Sequence, residues 1–295
     1  MRAVVTGGAK RLGKEMAIFL AERGFEVAIH YHSSENSADE LVEYIKSKIG
    51  KNSIALRADL TKEKEVQELI TRANENLGGP ISCLINNASI FEYDNIWTAD
   101  RDSWDRHIES NLRAPFVLTQ SFANQVPPSI RDEHGEPLSQ GSIINLIDQR
   151  VKKLTPEFTS YTIAKMGLWA LTKTSAQALA PNIRVNAIGP GPTLQGARQS
   201  KEHFETQRKM YHVISTVPLL LESNRNIGKA NLDVSWDDLH LWTAYDVQVE
   251  IYNFTQDTFV LLIRSTFTSF APLRPRSVTA KTSELYDELK LRGFS

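Results

Sequence analysis

Thr6-Gly7-Gly8-Ala9-Lys10-Arg11-Leu12-Gly13 stands between the apolar run Ala3-Val4-Val5 and a segment in which Leu12, Met16, Phe19, Leu20 and Arg23 share one helical face. A β-branched run, a glycine-bearing turn and a helical period in direct succession read as a strand–turn–helix unit. Glycines in such a turn let the backbone approach a pyrophosphate, whose charge is favoured by the free amides and dipole at the helix start. Two glycines are equally compatible with a tight turn and nothing more. Position in the first βα unit is what raises the nucleotide reading above that alternative.

Outward from this unit the same rhythm repeats through about residue 190. Gly24 closes the first helix. Strands are expected at residues 27–30, 54–58, 83–86, 143–147 and 183–188. Between them lie helical stripes: Ala38, Leu41, Val42, Ile45 and Ile49, then Val66, Leu69, Ile70, Ala73 and Leu77. Two longer helical stretches follow, at about 103–124 and 161–180, with a loop from Pro127 to Gly141 between them. Such alternation predicts an α/β fold, a Rossmann-like doubly wound parallel sheet with helices on both faces.

Charge points to a small-molecule partner. The 34 Lys and Arg nearly balance the 35 Asp and Glu, for a net charge of -1, so no global field favours nucleic acid or an anionic membrane. No run of about 20 apolar residues is present to cross a bilayer, and because an apolar strand begins at once no signal leader is expected. The single cysteine, Cys83, sits in an apolar run and reads as a buried strand thiol. A soluble, reducing, cytoplasmic setting is expected.

The turn at residues 6–13 resembles the Thr-Gly-x-x-x-Gly-x-Gly of short-chain dehydrogenases/reductases, and within that family it is most similar to the pteridine reductases, where Arg11 stands at the middle glycine position. The resemblance implies that Gly7, Arg11, Leu12 and Gly13 face the cofactor; a solvated arginine is the plain alternative for Arg11. At the end of the second strand an NAD-binding fold usually carries a carboxylate for the ribose. Here His30-Tyr31-His32-Ser33-Ser34 carries none, so His32, Ser33 and Ser34 are candidates for a 2′-phosphate and NADP(H) is the expected cofactor. The segment is similar to the His-Tyr-His-Arg-Ser of pteridine reductases, with Ser33 in place of arginine. A metal site on His30 and His32 lacks any further ligand cluster. Asp59 resembles the family residue that meets the adenine, although an aspartate there also suits a cap. Asn87, Ala88 and Ser89 resemble the adenosine-side motif, with the serine and the following Phe91 shared with pteridine reductases.

Tyr161 and Lys165 lie four apart on one helical face. A phenol of pKa ~10 is a poor acid–base group at neutral pH, and an adjacent ammonium favours its phenolate. The spacing is common by chance; it gains force from Asp148, placed 13 residues earlier after a strand. Most short-chain dehydrogenases have serine at that position and pteridine reductases aspartate. The resemblance implies a catalytic set of Asp148, Tyr161, Lys165 and Asn111, the last on a distorted helix. It also implies that Pro190, Gly191 and Thr193 orient the nicotinamide and that Phe91, with Asp148 and Tyr161, meets a pterin ring. An asparagine facing solvent and a core phenylalanine are the plain alternatives.

Similarity covers about residues 2–210 and then fades. The expected division is a Rossmann domain at 1–210 and a divergent segment at 211–295, which lacks the family's Asp-Gly-Gly. A replaced C-terminus, by fusion or a changed reading frame, would leave a sheet edge open and puts the family's homo-oligomer in doubt.

Overall fold

The computed structural model describes residues 1–133, 135, 137–190 and 200–202, together with the backbone of three further strands between residues 241 and 265. In chain order the strands are β1 (Arg2–Val5), β2 (Glu26–Tyr31), β3 (Ser53–Arg57), β4 (Cys83–Asn86), the two-residue pair β5 (Ile130–Arg131) and β6 (Pro137–Leu138), β7 (Gly141–Leu146) and β8 (Ile183–Ile188). Apart from the small β5–β6 ladder they form one parallel body in the order β8-β7-β4-β1-β2-β3. The helices are α1 (Arg11–Glu22), α2 (Glu35–Tyr44), α3 (Glu63–Leu77), α4 (Arg101–Ile108), α5 (Ala114–Gln125) and α6 (Thr159–Leu179).

Alternating residues of each strand feed two cores. Val4 pairs with Ala28 and Leu84, Leu84 with Ile143 and Ile143 with Val185. This row faces Leu69 and Ile70 of α3 and Leu118 and Phe122 of α5. The neighbouring row, Val5, Ile29, Ile85 and Ile144, faces Met16 and Leu20 of α1 and Leu41 of α2. Side chains of this kind each gain roughly 1.5–3 kcal/mol when fully buried, and a one-residue slip would exchange the two faces. The doubly wound sheet expected from the alternation is the fold observed.

Differences lie at close approaches and helix distortions. β7 begins two residues before the expected strand because Gly141 lets it press on Phe122; a Cβ there would come within 2.9 Å of the ring. The expected helix at 103–124 is interrupted by a π-helical turn, Glu109–Arg113. The chain winds from β1 outward to β3 and resumes with β4 on the opposite side of β1. The loops leaving β1 and β4 therefore diverge and open a crevice at their C-terminal ends.

At the other side of β8, strand β9 (Leu241–Thr243) pairs antiparallel with it, followed by β10 (Val247–Thr255) and β11 (Thr258–Ser265). Where the sequence suggests an open edge, these strands continue the sheet. No helix among the described residues is long and apolar enough to cross a membrane.

Candidate active site

The crevice at the switch point is a cleft of about 550 Å³ that runs from the β1 turn to the start of α6. Its first end is built by Gly7, in the left-handed region at φ 60°. A Cβ on Gly13 would lie 2.2 Å from the Gly7 carbonyl oxygen, so only glycine lets α1 start this close to the turn. The first turn of α1 holds no acidic residue, and no side chain caps it. Arg11 and half-buried Leu12 line the cleft with Gly7 and Gly13, and Arg11 adopts φ 52° without being glycine.

His30 holds this turn from beneath. Its ring is 2% exposed; Nδ1 accepts the Gly7 amide at 3.0 Å, which leaves the Nε2 proton to donate to the Ala58 carbonyl at 3.0 Å. Both nitrogens are thus engaged within the fold, and no group of three metal-ligating side chains occurs among the described residues. Burial lowers the His30 pKa from 6.5 to about 4. Because the folded value lies below the unfolded one, the stabilisation is complete above pH 6.5 and is lost as pH falls through about 4. That displacement corresponds to roughly 3 kcal/mol. The urea midpoint is expected to drop between pH 6.5 and 4 more steeply in the wild type than in His30→Gln. Parallel slopes would assign the acid sensitivity to other groups.

Thr6 ties the turn to the β4 loop: its hydroxyl donates to the Ile85 carbonyl at 3.2 Å and accepts the amides of Asn87 at 2.9 Å and Ala88 at 3.0 Å. Asn87 Nδ2 donates to the carbonyls of Thr6 and Gly7. Asp59 accepts from the Thr61 amide and hydroxyl at 2.9 and 2.7 Å, closing the turn before α3 without capping that helix, while still lining the cleft 3.8 Å from His32. Ser33 and Ser34 do not line it; Ser33 is exposed and Ser34 precedes α2. Pro190 does line the cleft, whereas Gly191 and Thr193 lie outside the described residues.

At the other end the Tyr161 hydroxyl donates to Asp148 Oδ2 at 2.9 Å, and Asp148 Oδ1 accepts the Arg150 amide at 2.8 Å. Burial first, and then the Asp148 carboxylate, push the Tyr161 pKa well above its ordinary value; a Ser89 hydroxyl contact works in the opposite direction. This corrects the expectation that Lys165 draws the phenol toward phenolate. Lys165 Nζ instead donates to the Leu146 carbonyl at 2.7 Å and lies 5.7 Å from the Tyr161 ring centre. Burial lowers its own pKa to about 8.

Asn111 is buried within the π-helical turn rather than solvent-facing. It exchanges two hydrogen bonds with the backbone of Ile90, at 2.9 and 2.8 Å, and so pins the loop that carries Phe91. Phe91 is not core: 47% exposed, it stacks on Phe158 with ring centres 4.3 Å apart and meets Tyr161 edge-on at 4.7 Å. Sequence reasoning missed Phe158, which sits just before α6 at φ 58° with the Arg150 guanidinium 4.6 Å above its ring. It also missed the buried set Asp94, His107 and Ser160. Their one signal was position, each within four residues of Phe91, Asn111 or Tyr161.

Residues 1–206 match the family described as short chain dehydrogenase. A 3-oxoacyl-(acyl-carrier-protein) reductase FabG of Staphylococcus epidermidis is 34% identical over 190 residues, which is 64% of this chain and 73% of that protein. The crystal structure of FolM alternative dihydrofolate reductase 1 from Brucella canis, complexed with NADP, is similar with a TM-score of 0.68 and 40% identity, over 77% of this chain and 86% of that one. A blue fluorescent protein from a metagenomic library, in complex with NADPH, has a TM-score of 0.61 at 29% identity, over 68% and 77% of the two chains.

Proposed function

The chain belongs to the short-chain dehydrogenase family, and from that premise we propose that it is an NADP(H)-dependent reductase of a pterin-type C=N bond. The observation that carries the substrate class is the Tyr161–Asp148 hydrogen bond of 2.9 Å. A carbonyl oxygen needs only a hydroxyl donor. A ring nitrogen must be protonated, and a carboxylate holding the tyrosine proton at the pocket suits that task. The likeness to the FolM structure supports the same reading.

The cofactor fits the residues present. The glycine turn, the uncapped start of α1 and the Asn87–Ala88 segment would hold the dinucleotide, with Arg11 at its phosphates and His32 at the ribose end. When bound, NADPH supplies the hydride. Tyr161 supplies the proton, Asp148 orients its hydroxyl, and Lys165, at the end of the same cleft, would bind the nicotinamide ribose. Phe91 offers the aromatic face for the substrate ring. With that hydride, the Tyr161 proton would complete the two-electron reduction of the C=N bond, the cofactor being the reductant.

The test is NADPH oxidation with a 7,8-dihydropterin beside a reactive diketone. Reduction of the pterin is expected; a wild type that reduces only the diketone would move the assignment to carbonyl reduction, the second reading, which the FabG relative favours. Cofactor choice gives a separate check. With no carboxylate at residues 30–34, NADP(H) should bind more tightly than NAD(H) at one ionic strength. Ser33→Arg should strengthen NADP(H) by about tenfold through a charge-assisted phosphate contact. Tighter NAD(H) in the wild type would overturn it.

A further inference from the structure

Three buried polar side chains beside Tyr161 take no part in the proton transfer described above. Asp94, His107 and Ser160 are 1%, 0% and 0% exposed. His107 Nε2 accepts the Glu92 amide at 3.1 Å, which places the ring proton on Nδ1. Nδ1 then donates to Ser160 Oγ at 2.6 Å, and Ser160 Oγ donates to Asp94 Oδ2. Asp94 Oδ1 accepts the Ser160 amide at 3.2 Å, and its carbonyl accepts the Phe158 amide at 2.6 Å. Burial lowers the His107 pKa, which keeps the ring neutral and the proton order fixed.

The chain of hydrogen bonds joins two segments that reach the pocket from distant parts of the sequence. One is the loop after β4, with Phe91, Glu92 and Asp94. The other is the start of α6, with Phe158, Ser160 and Tyr161. α6 has no side-chain cap of its own, so the Asp94 carboxylate serves its first turn from across the gap, where the helix dipole favours negative charge. Phe158 is held left-handed at φ 58°, a conformation that persists in a non-glycine residue only when its surroundings enforce it. Its ring is the one that Phe91 stacks upon.

We propose that Asp94, Ser160 and His107 are positioning residues that clamp the Phe91 loop to the Tyr161 turn and so set the gap between the aromatic face and the proton donor. This rests on the substrate site proposed above. Ser160→Ala removes the central link and leaves no bulk behind. Hydrogen–deuterium exchange on the NADPH-bound full chain should then quicken both in residues 90–98 and in residues 156–162. With a 7,8-dihydropterin, KM should rise by about tenfold while NADPH affinity stays within about twofold. His107→Asn retains a donor toward Ser160 but not the acceptor for Glu92, and should quicken exchange in residues 90–98 alone.

Unchanged exchange in residues 90–98 of Ser160→Ala would overturn the clamp. So would a fall in NADPH affinity matching the rise in KM, which marks a general loss of structure. A wild type without pterin turnover would refute the substrate reading, and the exchange comparison would still decide the clamp.

Discussion

Tyr161→Phe should lower turnover of a dihydropterin by about 10²- to 10⁴-fold, the range of general acid catalysis, with NADPH affinity nearly intact. The hydroxyl removed is the group whose proton is held against Asp148 Oδ2. Its raised pKa means that it carries that proton throughout the neutral range. The ring itself packs edge-on against Phe91 and His107, contacts that phenylalanine keeps. Single-turnover rates with NADPH in excess, beside fluorescence titration of the cofactor, measure both quantities. Retention of most of the turnover would remove Tyr161 as the donor and shift attention to Asp148.

Asp148→Ser separates the two chemistries. Serine retains a hydrogen-bonding oxygen near Tyr161 but loses the carboxylate that accepts the phenol hydrogen bond and orients the hydroxyl. Pterin reduction should fall by about 10²-fold, which corresponds to roughly 2.7 kcal/mol of transition-state stabilisation. Reduction of a reactive diketone should be spared or improved, because a carbonyl oxygen needs only the hydroxyl. Circular dichroism must match the wild type, since Asp148 also receives the Arg150 amide at the start of a short helical turn. Equal depression of both activities would end the pterin assignment.

The sheet was legible because its signal is local and repeated. Val4, Leu84 and Ile143 each lie in an apolar run whose neighbours face the other core, and burial on both faces makes such runs mostly apolar. Tyr161 and Lys165 were legible from their spacing along one helix, the Gly7 turn from its place between a strand and a helix, and Asp148 from the resemblance to pteridine reductases. The Asp94–Ser160 and His107–Ser160 bonds were not, as they join residues 66 and 53 positions apart. Aspartate, serine and histidine are usually solvent-facing, and only the folded chain reveals that these three are paired with one another. The direction of the Tyr161 shift was missed for a related reason: Lys165 is near in sequence, but its ammonium is aimed at the Leu146 carbonyl.

Arg11 sets a lower bound on its own usefulness. At φ 52° its side chain crowds the backbone in a way that glycine avoids, a cost of about 1–2 kcal/mol. A guanidinium that contributed less than this, as an exposed ion pair in water commonly does, would leave glycine the more stable residue at the mouth of the cleft. Arg11 therefore trades backbone ease for a guanidinium at the mouth of the cleft, so that ease of folding and positive charge at the turn are set against each other at a single side chain.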